Sequence, residues 1–290
     1  MSKIRASLLF LGPLLGKYNL DKLVKPGGDR IGSRPLTAHI IALSDLGFQI
    51  QETQDSLLIT RHENKIKNPG EIWLTEQSVS ATEILMLISA FLNRGSTLTL
   101  YGAATEPHIV TLANLLSQMG ARIDGSGSSL VKITWPEDPG PPSEPFRIDD
   151  DFMELTTYAV AAAITKSDIT LNSPEIKNLK LIDRYLQWLG ISTRLDDQAK
   201  TWVVQGSQSN YKIHPQLTTI KAEPWPRFPT DVMSLFVPLA TQCHGELKFI
   251  EYMYNDRFTF VQSLKDMGAK IEENPPPCYP RQWTNPPPRP

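Results

Sequence analysis

Residues 26–35 read PGGDRIGSRP and gather three glycines and two arginines around a single acid, Asp29. Adjacent glycines let backbone N–H groups come close to an anion, and an arginine fork pairs with phosphate or carboxylate through two bonds. The spacing is neither that of a nucleotide-triphosphate loop nor that of a dinucleotide fingerprint, because no Gly-Lys-Ser/Thr follows and the glycines stand elsewhere. The residue types point to local anion capture, with a plain turn carrying solvated charges as the alternative. Metal chemistry has little material. The five histidines are scattered, and the two cysteines, Cys243 and Cys278, form no spaced pair. No metal and no disulfide framework are expected.

Such a loop needs rigid elements on both sides, and an internal repeat supplies them. LSDLGFQI, LSQMGARI, LQWLGIST and LKDMGAKI each close an apolar stretch with a glycine, at Gly47, Gly120, Gly190 and Gly268, spaced by 73, 70 and 78 residues. A glycine after the last periodic residue is a helix terminator, and the alternating residues that follow read as a strand. A second helix precedes three of these four. One starts with Ser80 and Glu83 in capping-box spacing, one with Asp151 and Glu154, and one at Thr230 with a kink expected at Pro238. Each leads into a strand such as STLTL, DITL or ELKFI. The repeating unit is helix, strand, helix, strand, strand, and four units are legible.

The prolines and charges of Trp135–Pro145 read as a linker. It divides the chain into a first domain, 1–140, with its mobile loop at 26–35, and a second domain, 146–273. From Asn274 the chain holds eight prolines in seventeen residues, which favours an extended, disordered tail over packed structure. The formal net charge is −2 over 290 residues, so no global field draws the chain to nucleic acid or membrane. The longest apolar run, ASLLFLGPLLG, is too short to span a bilayer and has neither the charged start nor the cleavage pattern of a secretory signal. A cytoplasmic protein is expected.

RAS with LGPL, then PGG with IG.RP and a histidine, then SVSAT, EPHIV.LAN.L..MGA.I, and finally FPTD and NDRF occur in that order over residues 3–272. As an ordered set they resemble the enolpyruvyl transferase family, most closely the branch whose acceptor is UDP-N-acetylglucosamine. The resemblance implies an inside-out α/β barrel, EPSP synthase-like, of two domains with active-site residues facing the cleft between them. It implies transfer of the enolpyruvyl group of phosphoenolpyruvate to the sugar's 3′-hydroxyl, with release of phosphate and without a cofactor. In cell-wall synthesis this is the first committed step.

By motif, Asp29 takes the loop position where most members carry a cysteine proton donor, aspartate being a known natural variant. A free aspartic acid titrates near about 3.9, so work as an acid at neutral pH requires burial or a nearby phosphate. Arg34 matches the phosphoenolpyruvate-binding arginine, and the run Arg34, Pro35, Leu36, Thr37 and Ala38 matches nucleotide contacts. Arg5 matches an arginine that contacts the UDP-sugar, and Ser78 and Val79 match contacts to the uridine diphosphate, while Glu76 stands where many members have lysine. Asp231 matches the residue beside the attacking hydroxyl and is the expected general base. Met253 matches a substrate-contacting backbone position and Arg257 a second cleft arginine.

A complete member has six repeats, so the resemblance places the first before Met1 and the last beyond residue 272, together with further anion-binding cations. A complementing chain, or none, would then be the partner besides the two small substrates. The alternatives are a non-catalytic sugar-nucleotide binder or inactive fragment, and a transferase acting on 3-phosphoshikimate.

Overall fold

The computed structural model describes residues 3–18, 20–28, 31–32, 34–61, 70–91, 95–142 and 144–273. Asp29, Arg30 and the proline-rich tail lie outside the described residues. Two compact units divide the chain, Met1–Arg257 and Phe258–Pro290.

Within the first unit the repeat recurs as a physical module. A 3-10 turn at Arg5–Phe10 runs into α1 (Leu11–Lys17), followed by β1 (Lys22–Val24), α2 (Thr37–Asp45) and a hairpin of β2 (Phe48–Glu52) and β3 (Ser56–Arg61). A lead strand β4 (Glu71–Trp73) opens the next module, then α3 (Val79–Ser89), β5 (Thr97–Tyr101), α4 (Pro107–Gln118), β6 (Arg122–Asp124) and β7 (Leu130–Thr134). The third comprises α5 (Phe152–Ile164), β8 (Asp168–Asn172), α6 (Lys180–Trp188), β9 (Ser192–Asp196) and β10 (Thr201–Gln205). A fourth begins with β11 (Thr219–Lys221), α7 (Thr230–Ala240) and β12 (Lys248–Ile250). The second unit holds α8 (Val261–Asp266).

In each of the first three modules the strand between the helices pairs antiparallel with the last strand of the hairpin, giving sheet orders β1-β3-β2, β4-β5-β7-β6 and β8-β10-β9, beside a parallel β11-β12 pair. Among the described residues no sheet closes on itself. The four terminating glycines have φ of 91°, 102°, 83° and 95°, the left-handed conformation that a helix-ending glycine supplies without a Cβ clash.

Three local expectations are revised. The first module has its own upstream helix, α1, which the sequence showed only as an apolar run. Helix α3 is capped by Ser78, whose Oγ accepts from the Ala81 N–H, so Ser80 lies inside the first turn and Glu83 is turned into the protein. Trp135 is buried in the first core and donates its indole N–H to Ser89 Oγ at 2.9 Å, so only the residues after it behave as a connector. Asp151 does cap α5 through the Met153 N–H at 2.8 Å.

One apolar core runs from Leu8 to Trp135. Helices α1 and α3 meet closely at Gly12, where a Cβ would stand 2.7 Å from that of Leu87. Further along, Phe228 packs edge-on against Tyr185 and Phe236, each with ring centroids 5.0 Å apart. Among the described residues no helix is long and apolar enough to cross a membrane.

Candidate functional site

The described ends of the glycine loop touch two separate parts of the first unit. At one end, a Cβ on Gly28 would lie 2.6 Å from Arg34 Nη2 and 3.2 Å from Arg5 Cβ, so the Arg34 guanidinium folds over bare backbone beside Arg5. The φ of 128° at Gly28 is a second reason for glycine there. At the other end, Gly32 (φ 117°) leaves no room for a side chain, because a Cβ would meet Asn255 Oδ1 at 2.9 Å and the Asp256 N at 3.2 Å. The Asp256 N–H in turn donates to the Ile31 carbonyl at 3.2 Å. The described ends of the loop are therefore seated on the 254–257 turn and beside Arg5.

Arg5 precedes α1 and is half-buried; burial first, then the neighbouring Arg34 cation, hold its guanidinium below the usual arginine range, while Tyr254 and Glu76 act against them. Two cations held together in partial burial are poised for an anion that would relieve their repulsion. His39 on α2 is buried, and its Nε2 shares a 2.7 Å hydrogen bond with Ser80 Oγ. Burial and the Arg5 charge push its pKa down to about 4, so the ring is neutral near pH 7.

The α7 side supplies the acid. Asp231 lies in the first turn of α7, where the helix dipole favours a carboxylate. Its side chain is 59% exposed, against 10% for Arg257, whose Nη2 donates to Asp231 Oδ1. Arg257 also gives its Nε–H to Thr230 Oγ1 at 3.3 Å and lies 5.2 Å from the Tyr254 ring centroid. Tyr254 is largely buried, which raises its phenol's pKa; Asp231 adds to the rise and Arg34, Arg257 and Arg5 oppose it. The Met253 N–H is held by Glu251 Oε1 at 2.6 Å.

The remaining expected residues divide by burial. Pro35 and Thr37 are exposed, whereas Leu36 and Ala38 are buried. Ser78 and Val79 form the N-terminus of α3. Sequence reasoning missed Thr230, Glu251, Tyr254 and His39 as site residues, although Tyr254 belongs to the YNDRF stretch that had drawn notice.

A second titratable cluster joins α3 to α4. Glu83 faces His108 with 3.8 Å between Oε1 and Nε2. Burial, then the Glu106 carboxylate, push Glu83 up to about 7. His108 is pulled down by burial and up by Asp151 and Asp231, which places it near the acid of α7. A hollow of about 370 Å³ lined by Leu15, Tyr18, Asp21, Phe48 and Arg61 among others includes none of the expected site residues.

Known proteins converge on one family. The model of EPSP synthase (3-phosphoshikimate 1-carboxyvinyltransferase) matches residues 1–282. The UDP-N-acetylglucosamine 1-carboxyvinyltransferases of Treponema denticola and Borreliella burgdorferi are each 35% identical, over 93% and 92% of this chain and 62% and 61% of their own lengths. The chain thus spans about three-fifths of these relatives. In structure it is similar to the enolpyruvyl transferase NikO from Streptomyces tendae, with a TM-score of 0.70 over 93% of this chain and 62% of that one at 16% identity. EPSP synthase from Acinetobacter baumannii gives a TM-score of 0.53 over 89% of this chain and 58% of that one at 15% identity. The expected enolpyruvyl transferase fold is therefore the one observed, as four αβ modules without barrel closure among the described residues, and the chain belongs to the EPSP synthase family.

Proposed function

We propose that the chain binds UDP-N-acetylglucosamine and phosphoenolpyruvate and transfers the enolpyruvyl group to the sugar's 3′-hydroxyl, releasing phosphate. The supporting observation is the loop itself. Its described ends lie against Arg5 and Arg34 on one side and, on the other, the 254–257 turn whose Arg257 pairs with Asp231, in a chain whose relatives carry that activity in their name.

The roles follow from charge. Asp29 gives a proton to the methylene carbon of phosphoenolpyruvate, and the neighbouring carbon becomes electrophilic. Asp231 takes the proton of the attacking hydroxyl as the new C–O bond forms. Loss of the added proton then re-forms the double bond as the bond to phosphate breaks. Arg5, Arg34 and Arg257 balance negative charge through both steps. Arg257 holds Asp231 in place until the hydroxyl arrives.

The test is phosphate release from phosphoenolpyruvate with UDP-N-acetylglucosamine, run beside calorimetry with each ligand. Turnover that disappears in Asp231→Asn supports the reading. Titration without turnover would make the chain a sugar-nucleotide binder. Turnover with 3-phosphoshikimate as acceptor, or no titration at all, would overturn the acceptor assignment.

A further inference from the structure

Glu251 follows β12 directly and entered none of the expectations drawn from sequence. Its two oxygens face different partners. Oε1 accepts from the Met253 N–H at 2.6 Å and the Tyr254 N–H at 3.1 Å, while Oε2 accepts from the Thr230 hydroxyl. A threonine hydroxyl has one proton. Having given it to Glu251, Thr230 can only accept, and what it accepts is Arg257 Nε–H at 3.3 Å. Arg257, fixed along that edge, gives Nη2–H to Asp231. The direction of every bond is forced, since a carboxylate only accepts and a guanidinium only donates.

The geometry points to Glu251 as the positioning residue for the sugar end of the site, one carboxylate that sets both the 253–254 backbone and the orientation of the Arg257–Asp231 pair. This rests on the transferase reading and deepens it. Asp231 is the group assigned to the sugar hydroxyl, and the Met253 backbone is assigned to the substrate. Ser78 and Val79, assigned to the uridine diphosphate, stand at the start of α3. Removing the charge at position 251 should therefore weaken recognition of the sugar and leave recognition of the nucleotide alone.

Calorimetry on the full chain with UDP and with UDP-N-acetylglucosamine separates the two ends. The ratio of the two Kd values measures what the sugar adds. In Glu251→Gln the ratio is expected to fall about tenfold, from the loss of charge-assisted bonds to two backbone N–H groups and one hydroxyl, while Kd for UDP changes less than about twofold. Thr230→Val should lower the ratio by a smaller factor, because the backbone arm survives, and Thr230→Ser should restore it. An unchanged ratio in Glu251→Gln, or both ligands weakened equally, would overturn the assignment, since a residue needed only for folding affects both ends alike. If Glu251→Gln does not fold, the Val and Ser variants at 230 decide by the same ratio. A wild-type chain that binds neither ligand would instead refute the transferase reading, and the assignment with it.

Discussion

Glu83 allows a prediction worked from the structure. Its side chain is 14% exposed, and burial followed by the Glu106 charge raise its carboxyl from 4.5 to about 7. The folded state thus holds a proton that the unfolded chain releases at lower pH. The stability from that proton is fully present below pH 4.5 and is lost as pH rises through about 7. At about 1.36 kcal/mol per pH unit, the loss approaches about 3 kcal/mol. Glutamine keeps the shape and has no charge to desolvate. Glu83→Gln should therefore match the wild type near pH 4.5 and exceed it by about 3 kcal/mol at pH 7.5. His39 works in the opposite sense. Held at about 4 against an ordinary 6.5, it contributes stability present above pH 6.5 and lost as pH falls through about 4. In the wild type the two slopes oppose each other over their shared window, so Glu83→Gln should also reveal the slope of His39. Urea unfolding of both proteins at several pH values between 4.5 and 7.5 gives the difference directly. A difference that stays constant with pH would refute the assignment of Glu83 as a buried, proton-holding carboxyl.

Gly12→Val drives a side chain into Leu87 and the Ile84 carbonyl, 2.7 and 3.0 Å from where its Cβ must stand, and should cost about 1–3 kcal/mol in urea unfolding. Asp183→Ala leaves the fully buried Trp202 indole N–H without the 2.7 Å acceptor it now has, at about 1–3 kcal/mol, whereas Asp183→Asn retains an acceptor and should lose less in the same measurement. The family resemblance implies a loop cysteine in most members that the epoxide fosfomycin alkylates, and the carboxylate of Asp29 is a far weaker nucleophile. Mass spectrometry should show no adduct on the wild type and one adduct on Asp29→Cys, and modification at Asp29 would contradict the prediction.

Much of the scaffold was legible because helix ends have local chemistry. Gly47, Gly120, Gly190 and Gly268 could be read as terminators, since the left-handed conformation disfavours any side chain at the same position. Asp151 could be read as a cap, since cap and N–H are two residues apart. The same local logic misplaced the cap of α3. Ser80 has capping-box spacing to Glu83, yet Ser78 caps the helix through the Ala81 N–H and the Ser80 hydroxyl is taken by His39, 41 residues away. Trp135 reads with the prolines that follow it, because its partner Ser89 is 46 residues away at the end of α3.

The order of RAS, PGG, SVSAT and FPTD along the chain was enough to point to the family and to Arg5, Arg34 and Asp231, because residue type at a motif position is a property of the chain alone. Tertiary structure decided who stands beside whom. It set Arg5 beside Arg34, gave Asp231 to Arg257, made His39 and Glu83 carry pKa values far from their ordinary ones, and brought Glu251 into the site. Those outcomes depend on burial and on distances between residues tens to hundreds of positions apart. Electrostatic energy follows the separation in space and the water excluded from it, and neither is a function of position in the chain.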